Sequence, residues 1–386
     1  MRLIAGAAVI ALLSACTSDA TVTPVPAATS TQAIPPVTAS PLPDVTFHPT
    51  GAPATPTQSP PFDDPTVSPD YFTYDYLEFD VPIGSHPHDV APHPDGSVWY
   101  TAQNVGKMGR LDPATTEITE VTLPSRGSAP HGVIIGPDDA VWVTDQGANT
   151  IERVDPETYE VTTFPMPNNQ PMGPHTPTFD NDGILWFTGQ GSGTIGRLDP
   201  TAETNNIQIF PAPLGPGPYG INATPNGDVW YVNLAQSYLA NIDKTTGEST
   251  VYNPPTTAQG ARRVWSDSQG RLWISEWNAG QLSRYDPANQ EWREWPLPAN
   301  PNAPQAYAVY VDELDYVWVT DFGNNQILRF VPTLETFNEF PLPSANAEVR
   351  QLLGREGEVW GAESGVDKLV VIRRGPPDSS IAEEET

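Results

Sequence analysis

The chain has 386 residues, with 47 acidic against 18 basic side chains and a net charge of −29. That charge repels phosphate backbones and anionic headgroups, which excludes nucleic acid and a bare lipid surface as partners. Its single cysteine, Cys16, excludes an intrachain disulfide.

The first element is a leader. Arg2 is followed by the apolar run "LIAGAAVIALL", too short to span a bilayer in a mature protein, and then by Leu13-Ser14-Ala15-Cys16. This tetrapeptide resembles a bacterial lipobox. Residues 1–16 are therefore read as a lipoprotein signal with Cys16 as the lipidated residue. The remainder is expected to be extracytoplasmic and held to the cell membrane through that lipid alone. An ordinary secretory signal with an incidental cysteine is the other reading. Residues 17–70 hold 13 prolines among Thr, Ser and Ala. Too few large apolar side chains are present to offset the entropy of ordering, so this stretch is expected to be a disordered, proline-stiffened stalk.

Residues 71–374 repeat. Trp99, Trp142, Trp186, Trp230, Trp273, Trp318 and Trp360 are separated by 43, 44, 44, 43, 45 and 42 residues, the period of a β-propeller blade. Each unit resolves into four strands. A short apolar strand such as "GVII" leads into a turn such as "GPDD" or "TPNG". A second strand carries the tryptophan, a third such as "TIGRLDP" stops at Asp-Pro, and a fourth such as "EITEVTLP" alternates in polarity. The tryptophans are read as packing between blades. Arg110, Arg153, Arg197, Arg284 and Arg329, eleven residues beyond their tryptophans, are read as structural bridges to acids and carbonyls. The seventh unit lacks a fourth strand, and "YLEFDVP" (Tyr76–Pro82) supplies that pattern ahead of the first. The predicted fold is all-β: a seven-bladed β-propeller closed by pairing its N-terminal strand with its last blade, which removes two open edges. Residues 375–386 read as an acidic, disordered tail, and the whole as a monomer.

Eleven residues before the tryptophans stand His88, His131, His175, Tyr219, Arg262 and Tyr307, with Arg350 one residue out of step in the seventh unit. The first strand of a blade lines the channel, so these residues should ring one mouth, where a small-molecule or peptide ligand would bind. Two readings stay open: a solvated rim of hydrogen-bonding rings, or a metal or proton-transfer site built on neutral imidazole. Three residues after the tryptophans a second circle reads Ala102, Asp145, Gly189, Asn233, Glu276, Asp321 and Glu363. Its acids are expected to gather on one arc, with Trp277 and Phe322 beside them as an apolar wall.

The phrases "P-H-G-V…W-x-T-D…N-x-I-x-R" and "E-F-P-L-P" resemble the virginiamycin B lyase (streptogramin lyase) family over roughly Tyr71 to Arg374. The resemblance implies a ring-opening elimination in a cyclic depsipeptide. It implies a magnesium ion held by two glutamates of the last blade and a nearby histidine as general base. A metal would stabilise the developing enolate while the base takes the carbon-bound proton. The family's last-blade Glu-Pro-His-Gly is matched here by Glu348-Val349-Arg350-Gln351. Glu348 thus matches one metal ligand, and Glu363 the second with an offset one residue short. Arg350 stands at the base position, where a guanidinium has no acceptor. Tyr307 stands at the position of the family's sixth-blade active-site histidine. Ring closure makes blades one and seven neighbours, so His88 is the expected base beside Glu348 and Glu363, with Arg350 orienting a carbonyl. The other reading is an anchored binding module that holds its ligand on Trp277, Phe322 and Arg262.

Overall fold

The computed structural model describes residues 72–377, apart from 203 and 300. The expected signal, the Cys16 lipidation site, the stalk and the end of the acidic tail lie outside the described residues. The described chain forms seven four-stranded antiparallel sheets, as the tryptophan period predicts. Six are built from consecutive strands. The seventh takes Phe72–Asp80 as its outermost strand, paired with Lys368–Pro377 from Phe72 opposite Pro377 to Asp80 opposite Lys368. Closure therefore follows the expected route. The closing strand begins four residues before Tyr76, and its partner runs on to Pro377, past the expected boundary at 374.

Side chains fix this closure. Phe79 stacks on Trp360 with ring centroids 5.5 Å apart. Glu78 accepts from the Ser344 amide at 2.8 Å, the Ser344 hydroxyl at 2.7 Å and the Lys368 ammonium at 2.7 Å. Charge-assisted bonds of this kind are about twice as strong as neutral ones.

Within blades one to six every residue of the second strand is buried, because a blade packs on both faces. Each tryptophan lies against the following blade. Trp99 meets Val133, Val141 and Val143, while Trp360 meets Val90, Val98 and Leu111 of the first blade. In five blades the indole N–H donates to a nearby acid, as in Trp186 to Asp180 at 2.9 Å and Trp318 to Asp312 at 2.8 Å. The repeated arginines divide into two groups. Arg110 and Arg153 bridge to Asp95 and Asp138. Arg197, Arg284 and Arg329 lie over aromatic faces. The glycine in "KMGRL" has a steric cause: a Cβ on Gly109 would collide with the ring of its cross-strand neighbour Tyr100.

A belt of hydroxyls positions the channel residues. Two residues after the tryptophan, Thr101, Thr144, Thr188 and Ser275 each accept an amide N–H of their own blade, from Asp89, Gly132, Thr176 and Arg263. Each then donates to a channel-residue carbonyl of the next blade: His131, His175, Tyr219 and Tyr307 respectively. The threonine of the "W-x-T" phrase is thus an inter-blade tie.

Candidate functional site

The predicted ring exists, but it is a packed plug rather than a solvated rim. His88 and His131 stack at 3.8 Å between centroids, His131 and His175 at 3.8 Å, and His175 and Tyr219 at 4.1 Å. The Tyr219 and Tyr307 hydroxyls share a 2.6 Å hydrogen bond. All five side chains are buried. Burial holds all three imidazoles well below their usual pKa, followed by the Arg263 charge at His88 and by the adjacent imidazole at His131 and His175. They are neutral rings at physiological pH.

In blades one, three and five the residue after the ring position, Asp89, Thr176 and Arg263, builds a second layer. Arg263 reaches across the channel to Asp89 at 3.0 Å and to the Thr176 hydroxyl at 2.9 Å. Asp89 also holds His88 Nδ1 at 2.8 Å. His88, Asp89 and His131 offer ligand atoms within 4.8 Å of one another. Arg263 already donates to both Asp89 oxygens, at 3.0 and 3.3 Å, and its positive charge opposes a divalent ion, so this trio reads as a hydrogen-bond network.

The open chemistry lies on the rim. Arg262 projects among three rings, 3.5 Å from the Tyr307 centroid, 4.6 Å from Trp277 and 4.9 Å from Tyr219. Tyr307 stacks on Phe322 at 4.7 Å, and Trp277 meets both edge-on. The structure thus brings together the expected apolar wall. Burial pushes the Tyr307 phenol up, but Arg262, Arg263 and Arg350 outweigh it and hold the group below its usual value. Arg350 pairs with Glu348 at 2.5 Å and donates to the Ser364 hydroxyl at 2.6 Å, with its guanidinium 5.8 Å from Phe322.

Sequence reasoning missed His86. Its amide and that of Gly84 donate to the two oxygens of Asp367, at 2.7 and 2.8 Å. This clamp holds His86 at a left-handed φ of 49°. The half-buried imidazole engages the Ser364 backbone, and burial followed by the Arg350 charge lowers its pKa. His86 therefore occupies the place assigned to His88. His88 does approach Arg350 through ring closure, but its Nδ1 turns inward to Asp89.

The expectation for Glu363 also needs correction. Glu363 ends its strand pointing into the blade, against Glu78 and Lys368, and the next residue, Ser364, which opens the turn, lies instead beside Glu348 and Arg350. The other acids of the second circle are inward too. Asp145 and Asp321 cap turn amides, and Glu276 accepts from Gln281 and Ser283. They form no acidic arc at the mouth.

Burial, then the Glu78 charge, pushes the Glu363 carboxyl up from 4.5 to about 8. The native state therefore keeps a proton that the unfolded chain has already released. Stability should fall as pH rises between about 4.5 and about 8. Glu363→Gln should flatten that slope, measured as urea midpoints at pH 5 and pH 8. An unchanged slope would show that Glu363 titrates normally.

The sequence profile of the Virginiamycin B lyase family matches residues 73–306. The chain belongs to that family. It is similar to a solved streptogramin B lyase, 26% identical, with a TM-score of 0.70 over 78% of this chain and 98% of that one. It is also similar to a catalytically inactive virginiamycin B lyase from Staphylococcus aureus with quinupristin. That match is 22% identical, with a TM-score of 0.71 over 78% of this chain and 99% of the other, and shows the fold alone. No curated protein matches the chain.

The magnesium implied for this virginiamycin B lyase family member does not fit its residues. Glu348 is spent on Arg350, and the position beside it is Ser364, a weak ligand for a hard cation. Glu363 is fully buried and held neutral well above the usual carboxylate range. A permanent guanidinium stands among the remaining donors.

Proposed function

We propose that this protein is a surface-anchored member of the virginiamycin B lyase family that binds a peptide-like, carbonyl-bearing ligand at the channel mouth without a metal. The observation that carries this reading is the setting of Arg350. Its cation is fixed by Glu348 and Ser364 beside the Phe322 and Tyr307 rings. A fixed guanidinium next to an aromatic wall suits a carbonyl oxygen carried on an apolar ring or side chain. Lipid attachment at Cys16 and a location outside the cytoplasm belong to the same reading and rest on the leader sequence.

A second reading is ester elimination, favoured by His86 beside Arg350 and Glu348. A free imidazole nitrogen of His86 would take a proton from the carbon next to the carbonyl. The released pair would form a carbon–carbon double bond as the ester carbon–oxygen bond breaks and the carboxylate leaves. Arg350 would stabilise the intervening negative charge.

One experiment addresses both. Quinupristin, which accompanies the Staphylococcus aureus protein, is titrated by calorimetry, with and without EDTA, into the propeller without its leader and stalk (the head domain), and recovered for mass spectrometry and chromatography. Binding is expected with EDTA present, and Arg350→Ala should weaken it about tenfold, the loss of one charged hydrogen bond. Elimination would yield a ring-opened isomer of unchanged mass, lost in His86→Asn. Binding that requires added magnesium would overturn the metal-free reading.

A further inference from the structure

Blade four departs from the repeat on the face opposite the ring. In five blades the cross-strand partner of the central tryptophan is an arginine, whereas Trp230 faces Asn241. In blades three, five and six an aspartate six residues before the tryptophan accepts the indole N–H. Blade four has Thr224 there, and its hydroxyl turns to the Asn226 side chain and the Asp228 carbonyl. Trp230 is left buried with its indole N–H unpartnered. Where the acid and the arginine are both missing, a groove of about 350 Å³ lies between blades four and five. Asn226, Asp228 and Trp230 line it from one blade, Gln269 and Asp286 from the other, and no lysine or arginine is present in its walls.

We infer that this groove is a saccharide-binding site. An unsatisfied buried donor has a cost that a ligand acceptor would remove. Carboxylates and amides from two blades accept and donate to neighbouring hydroxyls, while Pro225 and Pro287 offer apolar surface to the C–H face of a pyranose. The absence of basic walls disfavours an anionic ligand. The volume admits one or two sugar rings.

The test uses the indole N–H signals of ¹⁵N-labelled full head domain. The Trp230 signal is assigned by its loss in Trp230→Phe and its displacement in Thr224→Asp. Cellobiose and di-N-acetylchitobiose are the probes. At least one should shift the Trp230 signal saturably, with Kd on the order of millimolar. The Trp99 signal, whose N–H is also unpartnered, should stay in place. Asp228→Ala should weaken binding about tenfold. Thr224→Asp restores the acceptor of the other blades, so it should abolish the response while leaving the melting temperature unchanged or higher. The inference is overturned if neither disaccharide moves the Trp230 signal, or if Thr224→Asp responds like wild type. It is also overturned if calcium chloride alone produces the shift and Asp228→Ala removes it, which would mark a cation site.

Discussion

A head domain lacking residues 72–82 should fail to melt as one cooperative unit and should aggregate at concentrations where the intact head does not. The deletion strips the partner from the Lys368–Pro377 strand and leaves a ten-residue open edge. It also removes the Phe79–Trp360 stack and all three bonds made by Glu78. Truncating a buried phenylalanine alone typically costs about 3–5 kcal/mol, against a whole-domain stability of roughly 5–15 kcal/mol. Calorimetry and size-exclusion chromatography read the outcome. A truncated head that melts within a few degrees of the full one would sink the closure argument.

The second large effect is expected at the centre of the channel. Asp89→Ala leaves the Arg263 guanidinium buried with no counter-charge, since Asp89 is the acid it contacts. Breaking a buried pair from one side costs about 3–5 kcal/mol, whereas replacing both partners by apolar residues of similar size is often neutral. Asp89→Ala should therefore lower the urea midpoint sharply, and the double variant Asp89→Leu/Arg263→Met should recover most of the loss. If the single variant is as stable as wild type, the cross-channel pair contributes nothing.

The fold was legible because its signals repeat. Seven tryptophans set the blades, and one displaced strand set the closure. The ring was legible as a circle of positions, but its packed state was not, because no single blade shows how closely seven first strands converge. The site was only partly legible. Glu348, Arg350, Tyr307, Trp277 and Phe322 meet as the register predicts. Glu363 missed by one residue, since it ends its strand inside the blade and the turn opens at Ser364. His86 gave no periodic signal, since its place depends on a left-handed turn clamped by Asp367, 281 residues away. The Asp89–Arg263 pair spans 174 residues and joins blades that never touch along the chain. The blade-four groove is visible in sequence only as a missing aspartate and a missing arginine.

The hydroxyl belt has a mechanical consequence. Its ties run from blade one through blade four and again from blade five to blade six. Val232 interrupts the belt after blade four, and Ala362 offers no hydroxyl from blade seven. Among the described residues Thr320 makes no such bond onto blade seven, which at its inner edge is joined to blade one by the Gln351 side chain on the Val90 amide. The wheel is therefore laced by backbone-to-hydroxyl ties along four consecutive spokes, whereas the spoke that carries Glu348, Arg350 and Ser364 is held by long side chains, through the Asp367 clamp on Gly84 and His86 and the Arg374–Glu313 pair to blade six.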